Sequence, residues 1–220
     1  MCRFLIAKSV TKTNFAKLLN DFAIMCQKSK TQEGDWQGDG WGMGWREDNQ
    51  WNSYHSLKPI WKDRERLKNV PLTNQIMIHA RSASFAHQKG VIEYNQPHIN
   101  KQYCFVFNGL VRGVKLTRPI KGKIGSQKIL LLLIEQLKLS DPSKALKKTY
   151  DFISNHSEKI KGFNVGVGNG DNFYIISDFT EADEYFSLRL YNSSKLKIIC
   201  SEELNGFNWK KIEKKMIVKI

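Results

Sequence analysis

The feature that most constrains the fold is the placement of two helices in the middle of a chain that otherwise consists mainly of strand-like segments. Residues Ser126–Lys138 and Pro142–His156 carry apolar residues at helical spacing, and Asp141 precedes the second segment as a candidate N-cap. Short apolar segments precede this pair, and four or five more follow it from Phe163 onward. This order of strands, two helices and strands predicts an α+β fold with largely antiparallel sheets.

The first half of the chain supplies the other predicted elements. The apolar segment Met1–Ala7 predicts a buried strand, and Thr11 or Thr13 is a candidate cap for the helix that follows it. The remaining predictions are a Gly-rich loop at 33–45 that leads into a strand, its hairpin partner Trp51–Leu57, a short helix at Pro59–Lys68, and two central strands at Gln75–Ala80 and Gln102–Phe107.

Composition is typical of a globular protein. The 220 residues are 41% hydrophobic and 25% charged, and they suit a single domain. The chain has four cysteines, Cys2, Cys26, Cys104 and Cys200. No two of them form a CxxC pair, which excludes a zinc knuckle and argues against a disulfide framework. The longest apolar run is Ile129–Ile134, far short of the roughly 20 residues that span a bilayer. With no signal peptide recognisable, we expect a cytoplasmic protein without membrane association.

The chain is strongly basic, with 35 Lys and Arg against 21 Asp and Glu and a net charge of +14. The basic residues are dispersed along the chain, mostly at helical spacing beside apolar residues. This dispersal is typical of solvated helix faces and disfavours a nucleic-acid partner. An acidic partner for the excess charge stays open.

Cys2 is the first candidate for chemistry. A free cysteine is usually a buried packing residue. Removal of Met1, however, would leave Cys2 with its thiol and a free α-amine on the same carbon. An α-amine with a pKa of roughly 7.7–8.0 is partly neutral at physiological pH. It can therefore act as a general base toward the thiol.

Two strand ends offer further candidate groups. Arg81 follows an apolar strand in IMIHARSAS and can bind a carboxylate in a bidentate manner, although an exposed strand-end arginine is the simpler interpretation. Asn108 and Gly109 end the strand CFVF and offer two hydrogen-bond donors suited to an oxyanion hole. Asn-Gly is also the commonest hairpin turn signal.

The histidines show no metal-ligand spacing with the cysteines or carboxylates, so we expect no metal and no other cofactor. His79 stands two residues before Arg81 and is expected to orient that loop. His98, in NQPH, is expected to fix a turn near the site.

Several short motifs occur in a fixed order: Cys2 after the initiator, DGWGMGW (39–45), HARSAS (79–84), NQPH (95–98), FNG (107–109) and a C-terminal segment at 199–220. Together they resemble the class II glutamine amidotransferases, the N-terminal nucleophile (Ntn) hydrolase type, and most of all their stand-alone single-domain branch. The resemblance spans nearly the whole chain, so residues 1–220 are expected to form one such domain. It implies a four-layer αββα sandwich of two mainly antiparallel sheets between helices.

The resemblance also implies roles for individual residues. Cys2 would be the catalytic nucleophile that attacks the side-chain amide of glutamine, and Arg81 would hold the substrate α-carboxylate. The other implied site residues are Ser82 and Ser84 in the glutamine pocket and Asn108 and Gly109 in the oxyanion hole.

One segment departs from the family pattern. The family usually has Gly-x-Thr-Asp-Ser-Glu after the Asn-Gly strand, and its Asp binds the substrate ammonium. Here the segment is GKIGSQ (122–127), with Gly125 at the Asp position. Another acid serves instead (Asp171 and Asp178 are available), or the substrate lacks a free α-amine, or the activity is lost.

The expected function is that of an amidase acting on a γ-carboxamide through an N-terminal cysteine thioester. Its ammonia would be released or passed to a separate synthase subunit. Two alternatives stay open. One is a hydrolase of γ-glutamyl amides or peptides with a modified α-amine pocket, and the other is a non-catalytic basic binding subunit that keeps the fold.

Overall fold

The computed structural model describes residues 1–30, 34, 36–116 and 118–220. Within them the strands are β1 (Arg3–Thr13), β2 (Trp41–Glu47), β3 (Gln50–Ser56), β4 (Thr73–Ala80), β5 (His98–Asn100), β6 (Tyr103–Arg112), β7 (Lys159–Gly168), β8 (Phe173–Phe179), β9 (Arg189–Asn192), β10 (Leu196–Cys200), β11 (Lys210–Lys211) and β12 (Ile217–Lys219). The helices are α1 (Ala16–Lys28), α2 (Arg64–Lys68), α3 (Gly125–Leu137), α4 (Pro142–His156) and α5 (Asp183–Phe186), with 3-10 turns at Ile60–Lys62, Ala86–Gln88 and Ile92–Tyr94.

The strands form two antiparallel sheets, and the helices cover their outer faces. One sheet has the order β11-β9-β10-β1-β4-β2-β3 and the other the order β12-β8-β7-β6-β5. Helix α1 packs on the first sheet, whereas α3 and α4 pack on the second. A third apolar layer, which includes Phe4, Met77, Val106 and Ile175, fills the space between the sheets. The predicted αββα sandwich is therefore confirmed.

The start of α1 differs from the sequence prediction. Strand β1 continues through Thr13, which pairs with Thr73 of β4, so neither Thr11 nor Thr13 caps the helix. The cap position is Phe15, whose side chain is buried, and the Asn14 Oδ1 accepts a hydrogen bond from the Ala16 N–H at 2.8 Å. The amide oxygen of Asn14, in place of a threonine hydroxyl, therefore accepts an N–H at the start of the helix.

The second half of the chain follows the predicted order with one correction. Asp141 caps α4, because its Oδ1 accepts the N–H groups of Ser143 and Lys144 at 3.1 Å each. The part after α4 contains six strands and the short helix α5, where four or five strands were predicted. Strands β11 and β12 are two and three residues long, too short for an alternating pattern to reveal.

The alternation in DGWGMGW has a direct structural cause. Trp41, Met43 and Trp45 of β2 are buried toward the layer that contains α1. Gly42 and Gly44 face the other way, against the segment 95–97, where a Cβ on Gly42 would lie 2.6 Å from the Gln96 carbonyl oxygen. Only a glycine face lets this segment pack directly on the strand.

None of the helices in the described ranges is both long enough and apolar enough to cross a membrane.

Candidate active site

Cys2 lies where the two sheets and helix α5 meet. It directly precedes β1, which pairs with both β4 and β10 in the first sheet. Its thiol donates to the Ser82 carbonyl oxygen (3.6 Å), and its N–H donates to the Asn108 Oδ1 of the second sheet (3.2 Å). The Tyr185 hydroxyl donates to the Cys2 carbonyl oxygen at 3.1 Å. Every polar group of Cys2 thus has a partner on a different element.

The neighbouring Arg3 anchors this end of the chain. Its guanidinium is buried and donates to the carbonyl oxygens of Tyr185 (2.8 Å) and Ser201 (3.0 Å) and to the Ser29 hydroxyl (2.9 Å). It also pairs with the Glu202 carboxylate at 2.9 Å. Neither Arg3 nor Tyr185 was predicted as a site residue, although an arginine inside an apolar strand is a signal for Arg3.

One polar side-chain atom of Asn108 forms a hydrogen bond, and the other has no partner among the described residues. The side chain is 1% exposed, its Oδ1 accepts from Cys2, and its Nδ2 has no hydrogen-bond partner among the described residues. Gly109 stands against β7, and a Cβ there would collide with the Gly162 carbonyl group. The site therefore contains a buried, unused N–H donor close to the Cys2 backbone nitrogen.

Arg81 is buried beside Cys2, and its guanidinium donates to uncharged oxygen atoms. It donates to the Asn95 Oδ1 (3.4 Å) and to the Gln88 carbonyl oxygen (2.7 Å), and it lies over the Tyr94 ring at 5.6 Å. In the described part of the chain no carboxylate forms an ion pair with it. Burial lowers the pKa of Arg81 without removing its charge.

Asp39 of the DGWGMGW motif holds the Arg81 loop. The Asp39 N–H donates to the Arg81 carbonyl oxygen (3.0 Å), and the Asp39 Oδ2 accepts the Ala83 N–H (2.7 Å). The motif contributes to the family resemblance, but this role of Asp39 was not predicted from the sequence.

The NQPH segment connects the separate parts of the site. Asn95 accepts from Arg81, and the Gln96 amide bonds both the N–H (2.6 Å) and the carbonyl oxygen (3.1 Å) of Phe107, next to Asn108. His98 begins β5, and its Nε2 lies 3.0 Å from the Ser126 hydroxyl in the first turn of α3. Burial lowers the pKa of His98 to about 4, so its ring is neutral near pH 7.

His79 lies elsewhere than expected. It is a fully buried residue inside β4, paired with Phe4 and Gly42, and not part of the loop. Burial lowers its pKa to about 3, which makes it a neutral core histidine.

A single cavity of about 270 Å³ brings the other predicted residues together. Its walls include Cys2, Arg81, Ser82, Ser84, Asn108, Gly109 and Gly125. Ser82 is buried next to the thiol, whereas Ser84 is exposed. Neither His79 nor His98 lines the cavity within the described ranges.

Gly125 stands where the family pattern has an Asp, and no described wall residue of this cavity supplies a carboxylate in its place. They contain no aspartate or glutamate, but they include Arg81, Arg112 and Lys128. Asp171 lies in the turn between β7 and β8, and Asp178 accepts a hydrogen bond from the Tyr150 hydroxyl at 2.6 Å, so neither acid faces the cavity. Gly125 is the first residue of α3, and a Cβ there would meet no atom within 4 Å.

The electrostatics of Cys2 require a base for its ionisation. Burial raises the pKa of the Cys2 thiol, although the nearby N-terminal amine of Met1 and the Arg81 guanidinium act in the opposite direction. Among the described residues, no group of three or more His, Cys, Asp or Glu side chains is arranged to hold a metal ion.

The geometry can be compared with known proteins. No protein-family model and no curated protein matches the sequence. A solved structure of a glutamine aminotransferase class-II domain protein from Silicibacter pomeroyi matches all of this chain and 94% of its own, with a TM-score of 0.67 at 15% identity. A predicted glutamine amidotransferase from Pseudomonas aeruginosa matches 99% of this chain and 96% of its own, with a TM-score of 0.54 at 14% identity.

A longer enzyme has the same fold in part of its chain. The glutamine phosphoribosylpyrophosphate amidotransferase of B. subtilis matches all of this chain with a TM-score of 0.68 at 11% identity, and the match covers 49% of the enzyme. This protein therefore has the fold of the glutamine amidotransferase class II domains, which is the Ntn-type αββα sandwich.

Proposed function

We propose that this protein hydrolyses the γ-carboxamide of a glutamine-type substrate, with Cys2 as an N-terminal nucleophile and residues 1–220 acting as one class II glutamine amidotransferase-like domain. The observation that carries the proposal is the Asn108 amide, which accepts the Cys2 N–H and keeps a buried N–H donor unused. A buried unsatisfied donor is costly to the fold, and it is what an oxyanion hole needs before substrate arrives. The shared fold supports the proposal.

Removal of Met1 creates the base that the thiol requires. Because burial raises the pKa of Cys2, the thiol does not ionise unaided at neutral pH. The neutral α-amine takes the thiol proton, directly or through water, while the Asn108 Oδ1 orients it by accepting one of its N–H groups. The thiolate then adds to the amide carbon, and negative charge on the amide oxygen develops toward the Asn108 Nδ2 and the Gly109 N–H.

The tetrahedral adduct collapses with cleavage of the carbon–nitrogen bond. The leaving nitrogen takes the proton held by the α-ammonium and departs as ammonia, leaving an acyl thioester on Cys2. Water then adds to the thioester, the amine accepts its proton, and cleavage of the carbon–sulfur bond restores the thiol. One amide and one water give one carboxylate and one ammonia, which is released or passed to a separate synthase subunit.

Arg81 orients the substrate in this mechanism. Its guanidinium binds the substrate α-carboxylate, and Ser82 and Ser84 form the adjoining wall. Asn95 and Gln88 each accept one guanidinium N–H, and the Arg81 side chain lines the cavity, so its other N–H groups are left for the carboxylate.

The proposal is tested by ammonia release from glutamine and from Nα-acetylglutamine. The protein is prepared with Met1 removed, as verified by intact mass. We expect turnover in the wild type and none in Cys2→Ala, while circular dichroism shows that the variant is folded. Cys26→Ala removes a fully buried thiol from α1 and should keep turnover. Turnover by Cys2→Ala would contradict the role of Cys2 as the nucleophile. No turnover of any γ-carboxamide by the wild type would favour a non-catalytic binding subunit.

A second candidate is hydrolysis of a γ-glutamyl amide or peptide, in which an amine leaves in place of ammonia. The cavity walls favour such a substrate when its α-amine is modified, because they lack a carboxylate for a free α-ammonium in the described residues. Release of aniline from an Nα-acetyl-γ-glutamyl anilide, faster than release of ammonia from Nα-acetylglutamine, would distinguish this reaction from the first.

A further inference from the structure

The cavity that contains Cys2 extends well beyond the space that a glutamine side chain requires. Past Asn108 and Gly109, its described walls are mainly apolar and come from the end of β6, from residues 114, 116 and 124, and from α3 and α4. These apolar wall residues are Leu110, Val111, Val114, Leu116, Ile124, Ile129, Leu132 and Ile153. We call this part of the cavity the apolar channel.

A second cavity lies next to the first. It has a volume of about 160 Å³ and shares Leu116 and Leu132 with the first. Its other walls include Ile120, Thr149 and Phe152, and its two charged wall residues, Arg118 and Glu135, form an ion pair with each other. The second cavity therefore adds walls from α3 and α4 to the apolar channel, and its described walls carry no unpaired charge.

Charge at the near end of the channel disfavours an ammonium group. Gly125 opens α3, whose N-terminal end carries the positive end of the helix dipole. Lys128, one turn further on, and Arg112 also line the cavity, with no acid in its described walls. A free α-ammonium at this position would meet three sources of positive potential and no carboxylate. A neutral acylamino group would meet neither repulsion nor a collision, because the space at Gly125 is open.

We propose that the amide donor is an Nα-acylglutamine whose apolar acyl chain occupies the apolar channel, an inference that rests on the proposed function. Arg81 binds the α-carboxylate, Cys2 attacks the γ-carboxamide, and the acyl chain passes Gly125 toward Leu116 and Leu132. The acyl amide bond is not broken. Water and the γ-carboxamide give an Nα-acylglutamate and ammonia.

The test compares kcat/KM for glutamine and for its Nα-acetyl, Nα-hexanoyl and Nα-octanoyl derivatives. Each methylene that becomes buried is worth about a fourfold gain. We expect kcat/KM to rise at least about tenfold from acetyl to octanoyl and to be lowest for glutamine. A flat or falling series, or a preference for glutamine, overturns this inference while the proposed function stands. If none of the four amides is hydrolysed, both fail.

Two matched pairs of variants locate the effect. Leu132→Asn places an amide in the channel and should lower the octanoyl-to-acetyl ratio about tenfold. Ile134→Asn changes an equally half-buried α3 residue that lines neither cavity, and it should leave the ratio unchanged. Gly125→Asp should raise the glutamine-to-acetylglutamine ratio about 10- to 100-fold, whereas Gly125→Asn adds similar volume without charge and should not. Equal effects within either pair would contradict the inference.

Discussion

Asn108 combines two opposite hydrogen-bonding tasks in one side chain. Its oxygen accepts from the Cys2 nitrogen at 3.2 Å, and its nitrogen is buried without a partner in the described structure. The bidentate contact between Gln96 and Phe107 holds the strand directly beside it. The donor is therefore positioned before any substrate binds, which is the condition for electrostatic stabilisation of a transition state.

Replacement of Asn108 separates the two tasks. Asn108→Asp keeps an oxygen that accepts from Cys2 but removes the donor, and Asn108→Ala removes both. Because one oxyanion donor is worth about 10²–10³ in kcat, Asn108→Asp should lose at least that factor with little change in KM. Asn108→Ala should lose more, since it also removes the acceptor that orients the Cys2 amine. Steady-state kinetics on the preferred amide measures this, and an Asn108→Asp enzyme with near wild-type kcat would rule out the donor role.

Arg81 should discriminate between substrates by their α-carboxylate. Arg81→Lys replaces a planar fork by a point charge, so KM should rise at least about tenfold for a substrate with a free α-carboxylate. For the α-methyl ester of the same substrate the variant and the wild type should differ little. If the variant weakened both substrates equally, Arg81 would have only a structural role through Asn95 and Gln88.

At the scale of elements, strand β2 and the NQPH segment form one unit. The glycine face of β2 allows the segment to lie on it, and the segment in turn holds Arg81, the Asn108 strand and the start of α3. A change on the glycine face should therefore affect both stability and catalysis.

Gly42→Ala tests this unit. Its Cβ would come 2.6 Å from the Gln96 carbonyl oxygen, a backbone atom that cannot turn away. We expect the free energy of unfolding to fall by about 1–3 kcal/mol in urea titrations, with a reduced kcat in the folded fraction. Gly125→Ala is the control for stability, because a Cβ there meets nothing within 4 Å. An unchanged stability of Gly42→Ala would show that the segment does not pack as described.

The sequence predicts best those elements that are determined by residues close together in the chain. Helix α4, with its apolar face and the Asp141 cap, agrees at both ends because capping and periodicity act within a few residues. The contacts of Tyr185 with Cys2 and of Asp39 with Ala83 join residues 183 and 44 positions apart. No local pattern carries such pairings, so the roles of Tyr185, Asp39 and Arg3 appear only in the folded chain.

At the scale of the whole molecule, the site depends on the stacking of two sheets. Cys2 directly precedes β1 of the first sheet, Asn108 lies in β6 of the second, and the apolar layer between the sheets sets their separation. The short motifs gave the family resemblance and with it the sandwich, but the strand and helix pattern alone predicted only an α+β fold. The apolar channel was not predicted, because its walls come from β6, α3 and α4 together.

The buried His79 and the half-buried His98 make the stability of the molecule depend on pH. Burial lowers the pKa of His79 to about 3 and that of His98 to about 4, whereas the unfolded chain titrates near 6.5. Below about pH 6.5 the unfolded state binds more protons, so the free energy of unfolding falls as the pH drops. Each histidine contributes a slope of about 1.4 kcal/mol per pH unit in this window.

Urea unfolding between pH 7.5 and 4.5 measures this slope. His79→Gln should show a smaller slope than the wild type, whatever its absolute stability. His87→Gln, at an exposed histidine, should leave the slope unchanged. An equal slope in wild type and His79→Gln would contradict a neutral buried His79.

The most direct test of Cys2 as a live N-terminal nucleophile is intact mass before and after treatment with chloroketone analogues of glutamine and of Nα-hexanoylglutamine. Cys26, Cys104 and Cys200 are fully buried, and burial raises the pKa of each thiol, so they should not react. We expect a protein that has lost Met1 and gains one adduct, which peptide mapping assigns to Cys2. Retention of Met1, no adduct, or an adduct on another cysteine would contradict the proposed mechanism.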